Sequence, residues 1–196
     1  MSAAQSQVWT IPNLLSAARL GLAIVLFVVI GRQDFATAAL LFLIAASTDW
    51  IDGWWARHFQ QVSRLGRIFD PLVDKVIVCG SFILLAALVD PVIAPWMAVV
   101  VVVRELVVTA VRAEMERVGQ DFSAGFSGKL KMILQCVAIF FALAALAWPM
   151  ATLGGGSLRQ VALAATWAAV VATVYSGFAY LVATRSILTE AESPGQ

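Results

Sequence analysis

Charged residues punctuate this chain at long intervals. Between Lys75 and Arg104 the only charge is Asp90, and between Lys131 and Arg159 there is none. A helix that crosses the hydrocarbon core of a bilayer needs about 20 mainly apolar residues. Six such stretches can be marked out: residues 13–31, 35–57, 71–90, 93–117, 128–149 and 158–187. Breakers separate them: Gly31, then Asp90-Pro91 with Pro95, then Pro149 through Gly154-Gly155-Gly156. The pattern predicts an all-α integral membrane protein of six transmembrane helices, with residues 1–196 as one membrane domain. The first span does not read as a cleavable signal peptide. No clear basic stretch precedes it, no small-residue cleavage site follows it, and Arg19 lies inside it.

Composition agrees with this reading. Of 196 residues, 61% are hydrophobic and 13% charged, and mean hydropathy is +0.89; soluble domains average about 45–50% apolar and about 25% charged. The net charge of +1 matters less than where the cations stand. If the N-terminus is cytoplasmic, six spans return the C-terminus to the same side. Arg19, Arg57, Arg64, Arg67, Lys75, Arg104, Arg112, Arg117, Lys129, Lys131 and Arg185 then fall in cytoplasmic segments or adjoining helix ends, 11 of the 13 cations, and only Arg32 and Arg159 stand opposite. Such a bias places both termini in the cytoplasm. Trp9, Trp50, Trp54, Trp55 and Trp96 fall near span ends, where tryptophan favours the membrane interface. Cys79 and Cys136 lie in apolar runs and read as small hydrophobes, and a single histidine, His58, excludes a His-rich metal site.

Against that background the segment from Thr48 to Lys75 is anomalous, because it carries Asp49, Asp52, Asp70 and Asp74 among Trp, Ile, Phe and Leu. Asp49 and Asp52 are i and i+3 on one helix, Asp70 and Asp74 i and i+4 on the next, so each pair shares a face. The second helix is expected to begin near Asp70-Pro71, with proline in its first turn. Joined as a hairpin, the two helices can turn four carboxylates toward one another at the cytoplasmic end of the bilayer. Four anions converging in a low dielectric repel and shift toward neutral forms; a cation resolves the conflict. Ligands of oxygen alone suit Mg²⁺, with Mn²⁺ or Ca²⁺ as competitors, and four carboxylates match a pair of ions clamping phosphoryl groups. The plainer reading is interfacial pairing, Asp49 with Arg57 and Asp74 with Lys75 or Arg67. Four intramembrane carboxylates at paired helical spacing favour function.

The order Asp49-x-x-Asp52-Gly53-x-x-Ala56-Arg57, eight residues, Gly66, three residues, Asp70, three residues, Asp74 resembles the motif of the CDP-alcohol phosphatidyltransferases, and the six-span layout is similar to theirs over essentially the whole chain. The resemblance implies transfer of a phosphatidyl group from CDP-diacylglycerol to an alcohol, with release of CMP. It implies two divalent ions per active site, Mg²⁺ or Mn²⁺, held by Asp49, Asp52, Asp70 and Asp74, with Asp74 also the base for the acceptor hydroxyl. Gly53, Ala56, Arg57 and Gly66 would contact the CDP moiety. As small residues, Gly53, Ala56 and Gly66 also suit close helix packing, and Arg57 suits anionic headgroups. A homodimer in the inner (cytoplasmic) membrane, with its active site at the cytoplasmic face and membrane lipids around it, is implied as well; no nucleic-acid partner is.

The acceptor is read from other segments. "TIPNLLSAAR" (Thr10–Arg19), "VVRELVVTAVRAEME" and "SGKLKMILQ" (Ser127–Gln135) are similar to bacterial phosphatidylglycerolphosphate synthases, whose acceptor is sn-glycerol 3-phosphate. A phosphate-bearing acceptor calls for an arginine fork and a lysine point charge, which makes Arg112 and Lys129 the first candidates and Lys131 the next. Lys129 and Lys131, two residues apart, cannot both face inward, and each also suits a snorkelling interfacial role. Ser176 is a further candidate for the acceptor phosphate. Arg104 and Glu105 are expected to pair or brace the core. Two other readings stay open: the same chemistry on phosphatidylglycerol, serine or inositol phosphate, and a six-helix ion-binding transporter. Transporter charges usually lie near the bilayer midplane, whereas these aspartates cluster toward one edge.

Overall fold

The structure, a computed structural model, describes residues 11–59, 66–117 and 126–191. Six helices carry the chain: α1 (Ile11–Gly31), α2 (Phe35–Phe59), α3 (Gly66–Ala86), α4 (Pro95–Arg117), α5 (Phe126–Ala147) and α6 (Leu158–Ala191). Five of these helices begin within two residues of the corresponding predicted span. The third is corrected. α3 starts at Gly66, so Pro71 is its sixth residue rather than part of its first turn, and Asp70 lies within the helix. The proline removes one backbone donor without ending the helix. α3 also stops at Ala86, short of Asp90. Its last turn closes where the Ala87 amide is shared by the carbonyls of Ile83 and Leu84, at 3.1 and 3.2 Å. Two stretches, Gly128–Ala147 and Leu158–Thr184, are by length and composition apolar enough to cross a membrane, and Ala17–Gly31, Phe35–Ser47 and Lys75–Ala86 form shorter apolar runs.

Local chemistry fixes the turns at one end of the bundle. α1 closes in a Schellman arrangement, Asp34 N–H to Val29 O at 3.2 Å and Gln33 N–H to Ile30 O at 2.9 Å, with Gln33 left-handed at φ 60°. Asp34 then caps α2, its Oδ1 accepting the Thr37 amide at 3.2 Å. Thr37, through its side chain first and its amide second, holds the Asp34 carboxyl below the usual carboxylate range. Between α5 and α6 the protein departs from a wholly helical expectation. β1 (Thr152–Leu153) pairs antiparallel with β2 (Gly156–Ser157). Gly154 and Gly155, at φ 62° and 83°, supply the two positive dihedrals a tight hairpin turn demands. Ser157 and Gln160 then exchange side-chain to backbone bonds at 3.3 and 3.0 Å, a capping box that starts α6. Arg159 reaches the α3–α4 loop and grips Asp90 bidentately at 2.8 and 2.7 Å, which brings these two connections to the same end. The pairing holds the Asp90 carboxyl below its ordinary range.

The helices close into a ring. α1 packs on α2, α2 on α5, α5 on α6, α6 on α4, α4 on α3 and α3 on α1, while α3 also meets α5 across the middle. That cross-contact divides the bundle into two compartments, one framed by α1, α2, α5 and α3, the other by α3, α5, α6 and α4. Among the described residues α2 and α3 do not pack directly on each other. Small buried residues draw the closest pair together: Ala138, Ala142 and Ala145 on α5, and Ala162, Thr166, Ala169 and Thr173 on α6. Gly80 of α3 receives the Phe27 ring of α1 so closely that a Cβ there would lie 2.2 Å from Phe27 Cζ. Phe42, Phe82, Leu26, Ile30, Leu85, Ile93, Ile139 and Leu143 fill the core. The outer faces remain apolar, with Val25, Leu40, Ile83, Val103, Ile133, Val171 and Phe178 all exposed. Trp96 is exposed beside Trp167, ring centroids 5.5 Å apart. Trp9 and the side chains of Trp50, Trp54 and Trp55 lie outside the described residues.

Candidate active site

Asp49 and Asp52 stand in the second half of α2, and Asp70 and Asp74 in the first half of α3. Gly53, Ala56 and Arg57 continue α2, and Gly66 opens α3. The side chains of all these residues lie outside the described ones. The neighbouring turns of the same helices are described, and they line a cavity of about 250 Å³ formed by Arg19, Phe42, Ala45, Ala46, Ile77, Val78, Met132, Ile133, Cys136 and Val137. Ala45 and Ala46 precede Asp49 by four and three residues, and Ile77 and Val78 follow Asp74 by three and four. The cavity therefore lies among α1, α2, α3 and α5, about one helical turn along α2 and α3 from the positions of Asp49 and Asp74. Met132, Ile133 and Val137 are exposed, so the cavity reaches the outer surface of the bundle. Arg19 is the one charged residue in its lining.

The second compartment is polar. Glu105 of α4, 5% exposed, accepts through one oxygen from Lys131 Nζ of α5 and from Arg104 Nη1, the latter at 3.3 Å. Arg104 Nη2 donates to Ser176 Oγ of α6 at 3.1 Å, and Ser176 Oγ donates to the Thr173 carbonyl at 3.1 Å. Gln135 Nε2 donates to Thr173 Oγ1 at 2.9 Å. Gly177 lets the Arg104 stem lie against α6, since a Cβ there would come within 3.0 Å of Arg104 Cγ. Lys75 of α3, half-buried, is within electrostatic reach of Glu105, Arg112 and Arg104. Arg112 is half-buried and its Nε has no hydrogen-bond partner. The compartment thus gathers four cations around one buried carboxylate.

Of the acceptor candidates, the structure brings Arg112, Lys131 and Ser176 to this compartment and leaves Lys129 exposed. Only one of the two lysines turns inward, and it is Lys131, the second choice from sequence. Lys75, Gln135, Thr173 and Gly177 were not singled out in the sequence. A signal existed for one of them: Gln135 is i+4 from Lys131 in an apolar stretch of α5, a polar pair that implies partners on a neighbouring helix.

The sequence model of the CDP-alcohol phosphatidyltransferases matches residues 9–175. The chain belongs to this family. Curated relatives named CDP-diacylglycerol–glycerol-3-phosphate 3-phosphatidyltransferase are similar over nearly their whole length. The Bacillus subtilis protein is 31% identical over 194 residues, covering 88% of this chain and 93% of the relative. Those of Pectobacterium atrosepticum and Salmonella typhimurium are each 35% identical over 188 residues, covering 93% of this chain and 98% of the relative. As a CDP-alcohol phosphatidyltransferase the chain is an enzyme of a phosphotransferase family, and the matched range contains the whole Asp49–Asp74 motif and ends one residue before Ser176.

Proposed function

We propose that this enzyme transfers the phosphatidyl group of CDP-diacylglycerol to sn-glycerol 3-phosphate, giving phosphatidylglycerol phosphate and CMP. The observation that carries the reading is the pairing of two unlike compartments on either side of α3. An apolar cavity open to the outer surface suits the acyl chains of a donor that stays in the bilayer. A cationic compartment suits a phosphate-bearing acceptor. Asp74 and Lys75, adjacent in sequence, stand on the helix between them. The names borne by the relatives point to the same acceptor.

In this reading the acceptor phosphate binds against Arg112 and the surplus charge around Lys131, with Lys129 at the mouth and Ser176 acting through Arg104. The acceptor hydroxyl attacks the phosphorus that carries the diacylglycerol, its proton passes to the Asp74 carboxylate, and the anhydride bond to CMP breaks. An alcohol is a poor nucleophile near neutrality, so a carboxylate within hydrogen-bond reach accelerates the step. Gly53, Ala56, Arg57 and Gly66 would hold the CDP moiety. The donor set fits hard divalent cations: Asp49, Asp52, Asp70 and Asp74 offer oxygen only, two from each of two consecutive helices. When bound, two Mg²⁺ or Mn²⁺ ions would neutralise the pyrophosphate and the departing CMP.

The setting belongs to the same proposal: six membrane spans, both termini cytoplasmic, a homodimer in the inner membrane, and the site at the cytoplasmic face. Apolar outer faces on the helices and the cation bias toward one side support it. The test is CMP release by purified enzyme with CDP-diacylglycerol and Mg²⁺, offering glycerol 3-phosphate, phosphatidylglycerol, serine and inositol 1-phosphate separately. Release that depends on glycerol 3-phosphate is expected. Release with another alcohol alone would overturn the acceptor, and no donor binding would overturn the class.

A further inference from the structure

Glu105 is the one buried carboxylate among the described residues, and it is shared by two cations from two helices. Lys131 comes from α5, and Arg104 from the preceding position on α4. Arg104 is fixed a second time by α6, through Ser176 and the cleft left by Gly177. Lys75 and Arg112 lie within electrostatic reach of the group. Without Glu105, Arg104 would keep only its bond to Ser176, Lys131 would lose the carboxylate that holds it, and the four cations would repel one another with no buried carboxylate described among them. With it, Lys131 and Arg104 are held at set positions, and the remaining positive charge is left for an anion.

We propose that Glu105 is a positioning residue for the acceptor: by gripping Lys131 and Arg104 across α4, α5 and α6, it shapes the cationic surface that receives the acceptor's phosphate. The inference rests on the acceptor reading above. It predicts a selective effect. Preorganised donors lower the ordering a ligand must impose, so disorder among these cations weakens acceptor capture and leaves the apolar donor cavity alone.

The experiment measures KM for glycerol 3-phosphate and for CDP-diacylglycerol, with kcat, in purified unmutated enzyme and in Glu105→Gln, Glu105→Asp and Gly177→Ala. Glu105→Gln should raise KM for glycerol 3-phosphate about tenfold or more, as expected for one lost charge-assisted contact, with the donor KM unchanged. Glu105→Asp, which keeps the charge, should recover most of that loss. Gly177→Ala, which crowds the Arg104 stem where it lies against α6, should raise the same KM and spare the donor's. A purely structural role would reduce the amount of active enzyme and move neither KM. An unshifted acceptor KM in Glu105→Gln, or equal shifts for both substrates, overturns the inference. Should Glu105→Gln fail to fold, an unshifted acceptor KM in Gly177→Ala does so instead. No glycerol 3-phosphate turnover in the unmutated enzyme overturns the acceptor reading and this inference with it. Turnover there with unshifted variants overturns the inference alone.

Discussion

Replacing Lys131 by methionine removes a buried charge while keeping much of the side chain's length and apolar stem. Lys131 is 8% and Glu105 5% exposed, so the variant strands a carboxylate away from water. Removing one partner of a buried pair costs about 3–5 kcal/mol. Arg104 remains 3.3 Å from the same Glu105 oxygen and absorbs part of the orphaned charge, which brings the expected loss to about 2–3 kcal/mol. For a chain of this size 1 kcal/mol shifts Tm by about 2–4 °C, so Lys131→Met should melt about 4–12 °C lower in detergent. The double variant Glu105→Leu with Lys131→Met removes both charges and substitutes apolar volume, a change that is often neutral or stabilising. Its Tm should return toward that of the unmutated protein. The decisive assay is a thermal melt of single and double variants side by side, under one detergent and one protein concentration. A single variant that melts with the unmutated protein, or a double variant that melts below the single, would refute the reasoning, because either shows that Lys131 does not neutralise Glu105.

Asp74→Asn should lower turnover about 10²–10⁴-fold, the usual contribution of a positioned base, with Tm unchanged; near-normal CMP release would remove Asp74 from that role. Gly80→Ala drives a Cβ to 2.2 Å from Phe27 Cζ and should cost about 1–3 kcal/mol as overpacking. Adding Phe27→Leu should recover stability, and a melt showing no loss in the single variant would contradict the packing. Asp90 is held below its ordinary range by Arg159, so its contribution is full above the unfolded value and fades as pH falls through the lowered folded value. Asp90→Asn should therefore lower Tm at pH 7 and have a steadily smaller effect as the medium is acidified through the lowered folded value; a difference that stays constant into acid would rule out the ion pair as its source.

The residues themselves settle how the chain is partitioned. Long gaps between charges mark out helices that begin within two residues of their expected starts in five cases, because an apolar run of about 20 residues has one good solution in lipid, a helix with all its backbone bonds internal. The third helix begins earlier than its sequence suggests because Pro71 reads as a start signal, whereas α3 accommodates one lost backbone bond inside it. The family motif was also legible, since its residues are local in sequence: Asp49 with Asp52 and Asp70 with Asp74 are tied by helical spacing alone. The hairpin between α5 and α6 was hidden in a glycine run that reads equally well as an open loop.

Spacing cannot say which helix a face meets. Lys129 and Lys131 lie about 200° apart around α5, so sequence establishes that only one points inward and leaves open which. Glu105, 26 residues upstream on α4, makes the choice by neutralising Lys131 in the interior. Likewise nothing local announces that a cavity opens among α1, α2, α3 and α5, or that Gly177 makes room for Arg104. Those follow from the ring of α1, α2, α5, α6, α4 and α3. Periodicity determines each helix's faces; only tertiary packing, through the cost of leaving a charge or an apolar surface without its partner, decides which faces meet.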